Sequence, residues 1–247
     1  MRNYQQETQN RINFIQETLT TANSTGIIFA NSGGKDAALV GILCKMACDN
    51  TLGLSLPCLV SRNYESDIED AILFSKQFGI AHKTISLTST FNQLAQSINA
   101  TIPLKNTAKS NVAIAPRLRM ITLYTIAVNE NRLVAGTGNR SERYTGYFTK
   151  WGDGVYDFNP IADLTATEVI EFLRYLGAPA SIIKKPPSAG LLEGQTDETE
   201  MGVTYASLDT FLLTGQVSER DAAIINRMHE ASHHKRKPPV IYGDDYV

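Results

Sequence analysis

The segment Gly26-Ile-Ile-Phe-Ala30 is apolar without alternation and runs straight into Asn31-Ser-Gly-Gly-Lys-Asp36. A strand that is apolar on both faces has no face to give to water. It belongs inside a parallel sheet covered by helices on both sides. The same alternation repeats along the chain. Leu54–Val60, Ala81–Leu87 and Arg132–Ala135 read as further strands, and helices are expected over residues 3–22, 36–48, 66–78, 88–99 and 115–130. Ser66 with Glu69 has the spacing of a helix-capping box, and Gly79 is placed to end that helix. Beyond residue 150 the signals are looser, with helices expected over 165–176, 204–214 and 218–231 and a Pro/Gly stretch over 179–194. Strand–helix alternation of this kind specifies an α/β fold, a doubly wound parallel sheet flanked by helices.

Composition narrows the function. Of 247 residues, 43% are hydrophobic and 19% charged, enough apolar material to offset the ordering entropy of a folded chain. Lys plus Arg number 23 and Asp plus Glu 25, so a net charge of −2 gives no drive toward nucleic acid or an anionic membrane. The apolar stretch from Ala37 stops at Lys45, far short of the roughly 18 residues of a membrane span. The polar start MRNYQQETQN lacks the apolar run of a signal peptide, so a cytoplasmic chain that begins there is expected. No repeat or linker divides residues 1–247, which read as one domain. Cys44, Cys48 and Cys58 are expected to be buried thiols rather than disulfides or metal ligands.

Ligands of open α/β sheets bind beyond the carboxyl ends of the strands. Segments 31–36, 61–67 and 136–142 lie there. In the first, Gly33 and Gly34 permit positive φ and let backbone amides converge on an anion, with the helix N-terminus behind them. Ser32 adds a hydroxyl and Lys35 a cation. Asp36 is the odd member, because a carboxylate beside an anion is repulsive unless a cation such as Mg²⁺ lies between. The turn is neither Gly-x-x-x-x-Gly-Lys-Ser/Thr nor Gly-x-Gly-x-x-Gly.

Ser32-Gly-Gly-Lys-Asp36 after an apolar strand resembles the PP-loop of the N-type ATP pyrophosphatases, whose fold is adenine nucleotide alpha hydrolase-like. Gly136-Thr-Gly-Asn-Arg-Ser-Glu142, Tyr144–Pro160, Pro187–Glu200 and Ser232-His-His-Lys-Arg-Lys237 resemble one family within it, the ammonia-using NAD synthetases, over residues of about 10 to 240. The resemblance implies ATP-dependent amidation of deamido-NAD by ammonia through an adenylate, with release of AMP and pyrophosphate. A glutaminase domain would need more chain than is present. Asp36 and Glu142 would hold Mg²⁺. Ser32, Gly33, Gly34, Lys35, Asp36, Thr137 and Ser188 would contact ATP, with Ser61 a candidate at adenine. Arg117, Lys150, Asp157, His234 and Lys235 would contact deamido-NAD, and Lys150 would also serve catalysis with Asp36 and Glu142. A homodimer with shared active sites is implied, with helix 115–130 a candidate interface. Tyr144, Tyr147, Phe148 and Trp151 could stack on a substrate ring or cover a loop.

Three positions depart from the family pattern. Ala37, Ala166 and Gly190 stand where many members have Ser, Lys and Asp. Lys35, Lys184 or Lys185 could compensate. The alternatives are a nucleotide-binding homologue impaired in catalysis, or another PP-loop enzyme.

Overall fold

The computed structural model describes residues 2–58, 64–105, 107–185 and 197–243. Ser61, Ser188 and Gly190 lie outside them. Four strands, β1 (Gly26–Ala30), β2 (Thr51–Ser55), β3 (Ala81–Thr84) and β4 (Arg132–Ala135), form one parallel sheet in the order β3-β2-β1-β4. The chain winds outward from β1 through β2 to β3, then returns to place β4 on the other side of β1. The switch point therefore lies between β1 and β4, where connections leave in opposite directions and open a crevice.

Alternation within β1 explains the two layers. Ile27 and Phe29 point into a core with Leu39, Leu43, Phe74 and Phe172. That core is built by α1 (Tyr4–Thr21), α2 (Lys35–Ala47), α3 (Glu65–Gln77) and α7 (Ala166–Tyr175). Ile28 points to the other face, among Leu54, Phe91, Leu123 and Val134, covered by α4 (Thr88–Thr101) and α5 (Thr107–Asn129). The remaining helices are α6 (Arg140–Thr145), α8 (Ala180–Lys184), α9 (Asp197–Met201), α10 (Tyr205–Thr214) and α11 (Glu219–Ala231). No helix among the described residues is long and apolar enough to cross a membrane. The three cysteines are free, with Cys44 and Cys58 buried.

Several boundaries differ from expectation. β2 begins at Thr51 rather than Leu54, because its register is set by β1, with Ile27 opposite Thr51 and Ala30 opposite Leu54. Ser66 does not cap α3. Tyr64 holds the cap position without a side-chain bond, and Glu65 and Asp67 complement the helix dipole instead. Helix α5 starts eight residues before the expected position and contains Pro116, which has no N–H for the carbonyl one turn back. Helix α6 falls where only a loop at a strand end is expected. Its signal is present in Asn139 and Glu142, which form a capping box.

Candidate active site

A cleft of about 1010 Å³ opens beyond the carboxyl ends of β1, β2 and β4, at the switch point. That is the upper end of the roughly 300–1,000 Å³ typical of small-molecule sites. Its lining includes Ser32, Gly34, Lys35, Asp36, Arg117, Thr137, Glu142, Lys150, His234 and Lys235. Residues from four separate stretches of sequence thus share one cleft.

The turn after β1 is shaped by its own side chains. Gly33 has φ +72°, and a Cβ there would lie 2.1 Å from the Asp67 carbonyl oxygen, so only glycine fits. Gly34 departs from expectation: it is the N-cap of α2 with φ −88°, an extended conformation open to any residue. Asn31 is 1% exposed and organises the turn. Its Oδ1 accepts from Gly33 N (3.2 Å), and its Nδ2 donates to Ser75 Oγ (3.1 Å). Its carbonyl accepts from Ser55 Oγ (2.8 Å). Ser32 Oγ accepts from Gly34 N (3.3 Å).

The acidic centre is built around Asn139, which is fully buried. Its Oδ1 accepts from Glu142 N (3.0 Å), and its N donates to Glu142 Oε2 (3.0 Å). Its Nδ2 donates to Asp36 Oδ1 (3.0 Å). One amide side chain therefore joins the carboxylate after β1 to the carboxylate after β4. Helix α6 is itself held in place: Ser141 Oγ donates to the buried carboxylate of Asp209, whose other oxygen accepts from Thr167 N at the start of α7. Burial, reinforced by the charges of Asp36 and Asp197, pushes Glu142 up to about 8 despite Lys35 and the Asn139 N–H. Lys35 is buried, with Nζ 2.5 Å from Asp36 Oδ2 and 5.5 Å from the centre of the Tyr205 ring. Burial opposes its charge, but Asp36, Glu142 and Asp197 outweigh burial and raise its pKa.

The donor set suits a hard cation. Mg²⁺ is commonly bound by one or two carboxylates, with water and substrate phosphate completing the shell. Two paired carboxylates, one with its pKa raised by burial and by the other's charge, fit that pattern. No group of three or more metal-ligating side chains occurs among the described residues.

The cleft also carries a cationic group, whose side chains bond to backbone carbonyls. Lys150 Nζ donates to the His234 carbonyl (2.6 Å). Lys235 Nζ donates to the Gly146 and Phe148 carbonyls (2.8 and 2.7 Å). Arg117 donates to the Ala113 and Lys150 carbonyls. These cations therefore meet carbonyl dipoles in the bonds they make, and keep charge for an anion. Arg119 also lines the cleft and donates to the Leu56 carbonyl (3.0 Å).

Other expected residues are placed differently. Asp157 is not in the lining. Its Oδ2 accepts from Val134 N (2.7 Å) and its Oδ1 from Tyr124 OH (3.2 Å), which fastens its segment to the edge of β4. Tyr144 stacks on His229 with ring centres 4.1 Å apart, whereas Tyr147, Phe148 and Trp151 line the cleft. Ala37 lines the cleft, but Ala166 is buried in a cluster with Met201, Val203, Tyr205 and Leu208. Lys185 lines the cleft and bridges Asp67 and Asp70 (both 2.7 Å), whereas Lys184 is exposed outside it. Asn31, Asn139 and Asp197 lie within the expected segments but had no role assigned from sequence, and Tyr205 lies outside those segments.

A four-stranded parallel sheet with a Ser-Gly-Gly turn at its switch point defines an α/β protein of the PP-loop ATP pyrophosphatase fold. The model of the NAD synthase family matches residues 7–239, and the chain belongs to that family. It is 43% identical over 240 residues to the NH(3)-dependent NAD(+) synthetase of Carboxydothermus hydrogenoformans, covering 97% of this chain and 98% of that one. The structure of NMN synthetase from Francisella tularensis superimposes with a TM-score of 0.92 at 35% identity, covering 99% of this chain and 100% of that one. The NH3-dependent NAD synthetase from Campylobacter jejuni gives a TM-score of 0.78 at 30% identity, over 98% and 99% of the two chains.

Proposed function

We propose that the chain is an ammonia-dependent NAD synthase, a carbon–nitrogen ligase that amidates deamido-NAD at the expense of ATP. The observation that carries this reading is the Asn139 bridge between Asp36 and Glu142, set in one cleft with the Ser32–Gly34 turn.

Ammonia cannot displace oxide from a pyridine carboxylate. The carboxylate oxygen must first attack the α-phosphorus of ATP, breaking the α–β bridge and releasing pyrophosphate. Ammonia then adds to the carbonyl carbon of the adenylate. AMP leaves with the bonding electrons, and the nitrogen loses one proton to give the carboxamide. No protein nucleophile is needed, so catalysis is positioning and charge neutralisation. In this reading Ser32, Gly33, Gly34, Lys35, Asp36, Thr137 and Ser188 bind ATP, while Asp36 and Glu142 would hold Mg²⁺, which would supply positive charge against the phosphate chain. To bind phosphate, the Gly33 and Gly34 amides exchange their bonds to Asn31 and Ser32 for phosphate oxygens. Arg117, Lys150, Asp157, His234 and Lys235 bind the dinucleotide, and Lys150 also serves catalysis with Asp36 and Glu142. Asp157 also fixes its segment to β4. The protein is read as one domain over 1–247, a cytoplasmic homodimer with α5 at its interface, where Ile121 and Val128 are exposed.

The fit to an NMN synthetase favours a second reading, in which the carboxylate belongs to a mononucleotide. One experiment tests both. The protein is incubated with ATP, Mg²⁺ and ammonium, and with either deamido-NAD or nicotinate mononucleotide, while AMP, pyrophosphate and the amide are measured. Turnover of deamido-NAD supports the first reading, and exclusive turnover of the mononucleotide supports the second. Nucleotide binding without pyrophosphate release would refute both and leave an impaired homologue.

A further inference from the structure

Lys35 sits where electrostatics disfavours a cation twice. It is the first residue of α2, where the helix dipole opposes positive charge, and it is 7% exposed. What retains it is the acidic group around it, most directly Asp36 Oδ2 at 2.5 Å. The other oxygen, Asp36 Oδ1, accepts from Asn139 Nδ2. Both Asp36 oxygens thus have partners. Asn139 cannot readily yield, because its amide oxygen and its backbone N–H are locked into the capping box of α6. The ammonium, on a flexible four-carbon stem, is the partner that can leave.

We propose that Lys35 is an internal counter-ion that makes divalent-ion binding conditional on the nucleotide. A divalent ion reaches Asp36 only by displacing the ammonium, and the phosphate chain of the nucleotide takes up the displaced charge. Without nucleotide, displacement would strand a buried cation beside the incoming ion, so the metal alone binds weakly. With nucleotide, the anionic chain satisfies both cations, and the two ligands assist each other. This rests on reading Asp36 and Glu142 as the divalent-ion pair.

The test is Mn²⁺ binding, read as loss of the free-ion electron paramagnetic resonance signal beyond the loss the analogue causes without protein. It compares wild type, Lys35→Met and Lys35→Arg, with and without α,β-methylene-ATP. Without nucleotide, Lys35→Met is expected to bind Mn²⁺ at least about tenfold more tightly than wild type, and Lys35→Arg to resemble wild type. The analogue should tighten Mn²⁺ binding at least about tenfold in wild type and much less in Lys35→Met. Equal or weaker Mn²⁺ binding by Lys35→Met would overturn the proposal. So would a Lys35→Met protein that stays unfolded when Mn²⁺ is added, since the ion must be able to replace the lost charge. Recovery of folding by Mn²⁺ would support it. If no variant binds the analogue, the ligase reading fails with it. If the analogue binds but Lys35→Met leaves Mn²⁺ affinity unchanged, only the role of Lys35 is lost.

Discussion

Replacing Asn139 by Asp changes one NH₂ group to oxygen and should be among the most damaging near-isosteric changes in the protein. Aspartate caps a helix as well as asparagine does, so the bond from Glu142 N is retained. The bond to Asp36 Oδ1, now 3.0 Å, is reversed into a contact between two carboxylates. A hydrogen bond to a charged group is worth about 1.5–3 kcal/mol. Repulsion of two charges about 4 Å apart at an effective dielectric constant of about 20 adds roughly 4 kcal/mol, part of which is recovered when the new carboxyl takes up a proton. The net loss should be about 4–6 kcal/mol at pH 8, a large share of the roughly 5–15 kcal/mol that stabilises a folded protein. Asn139→Ala loses the cap, about 1 kcal/mol, and the same bond to Asp36, but adds no charge. It should therefore be the milder variant. The new carboxyl has a raised pKa in the fold, so its penalty grows as pH rises and is relieved as pH falls. Urea unfolding in EDTA at pH 8, with a repeat at pH 5.5, measures all of this. An Asn139→Asp protein as stable as wild type, or more stable than Asn139→Ala at pH 8, would refute the account of the acidic centre.

Gly33→Ala must place a Cβ against the Asp67 carbonyl at positive φ, and should cost roughly 2–5 kcal/mol and weaken ATP-analogue binding more than about tenfold. Gly34→Ala meets only the Ser32 hydroxyl at 3.2 Å and should cost less; calorimetry on both variants tests the contrast. Partial burial pushes Asp163 up, but the hydrogen bond and charge of Arg11, with Arg2, hold its carboxyl below the usual value. Its stabilisation is therefore complete above the unfolded pKa near about 3.9 and fades as pH falls through the lower folded value. Because Asp163 is more than half exposed, Asp163→Asn should cost no more than about 1 kcal/mol at pH 7, with the two stability curves converging below about pH 3. Burial pushes the Cys44 thiol well above its ordinary range, so iodoacetamide at pH 8 should leave it unmodified until the protein unfolds, as peptide mass spectrometry would show.

Local chemistry made part of this protein legible in advance. The unbroken apolar run of β1 dictated a strand covered on both faces, and the glycines after it dictated a turn. Even so, their roles divided only in the fold: Gly33 needs positive φ because the Asp67 carbonyl presses on it, whereas Gly34 does not. The Asn139–Glu142 capping pattern lay in plain sight, but it gained chemical meaning only when the sheet brought Asp36 beside it. Asp157 shows that a carboxylate singled out by sequence also fastens a strand edge, a bond no local pattern announces.

Residue order alone determined a parallel α/β sheet, a glycine bend at the end of its first strand, and membership of the NAD synthase family. Those properties depend on short-range periodicity, backbone freedom and motif. Tertiary structure alone decided that β4 returns beside β1, and therefore that two carboxylates about a hundred residues apart meet over one buried asparagine. The physical reason is that strand order and side-chain partnership arise from packing between distant segments, which no local pattern encodes.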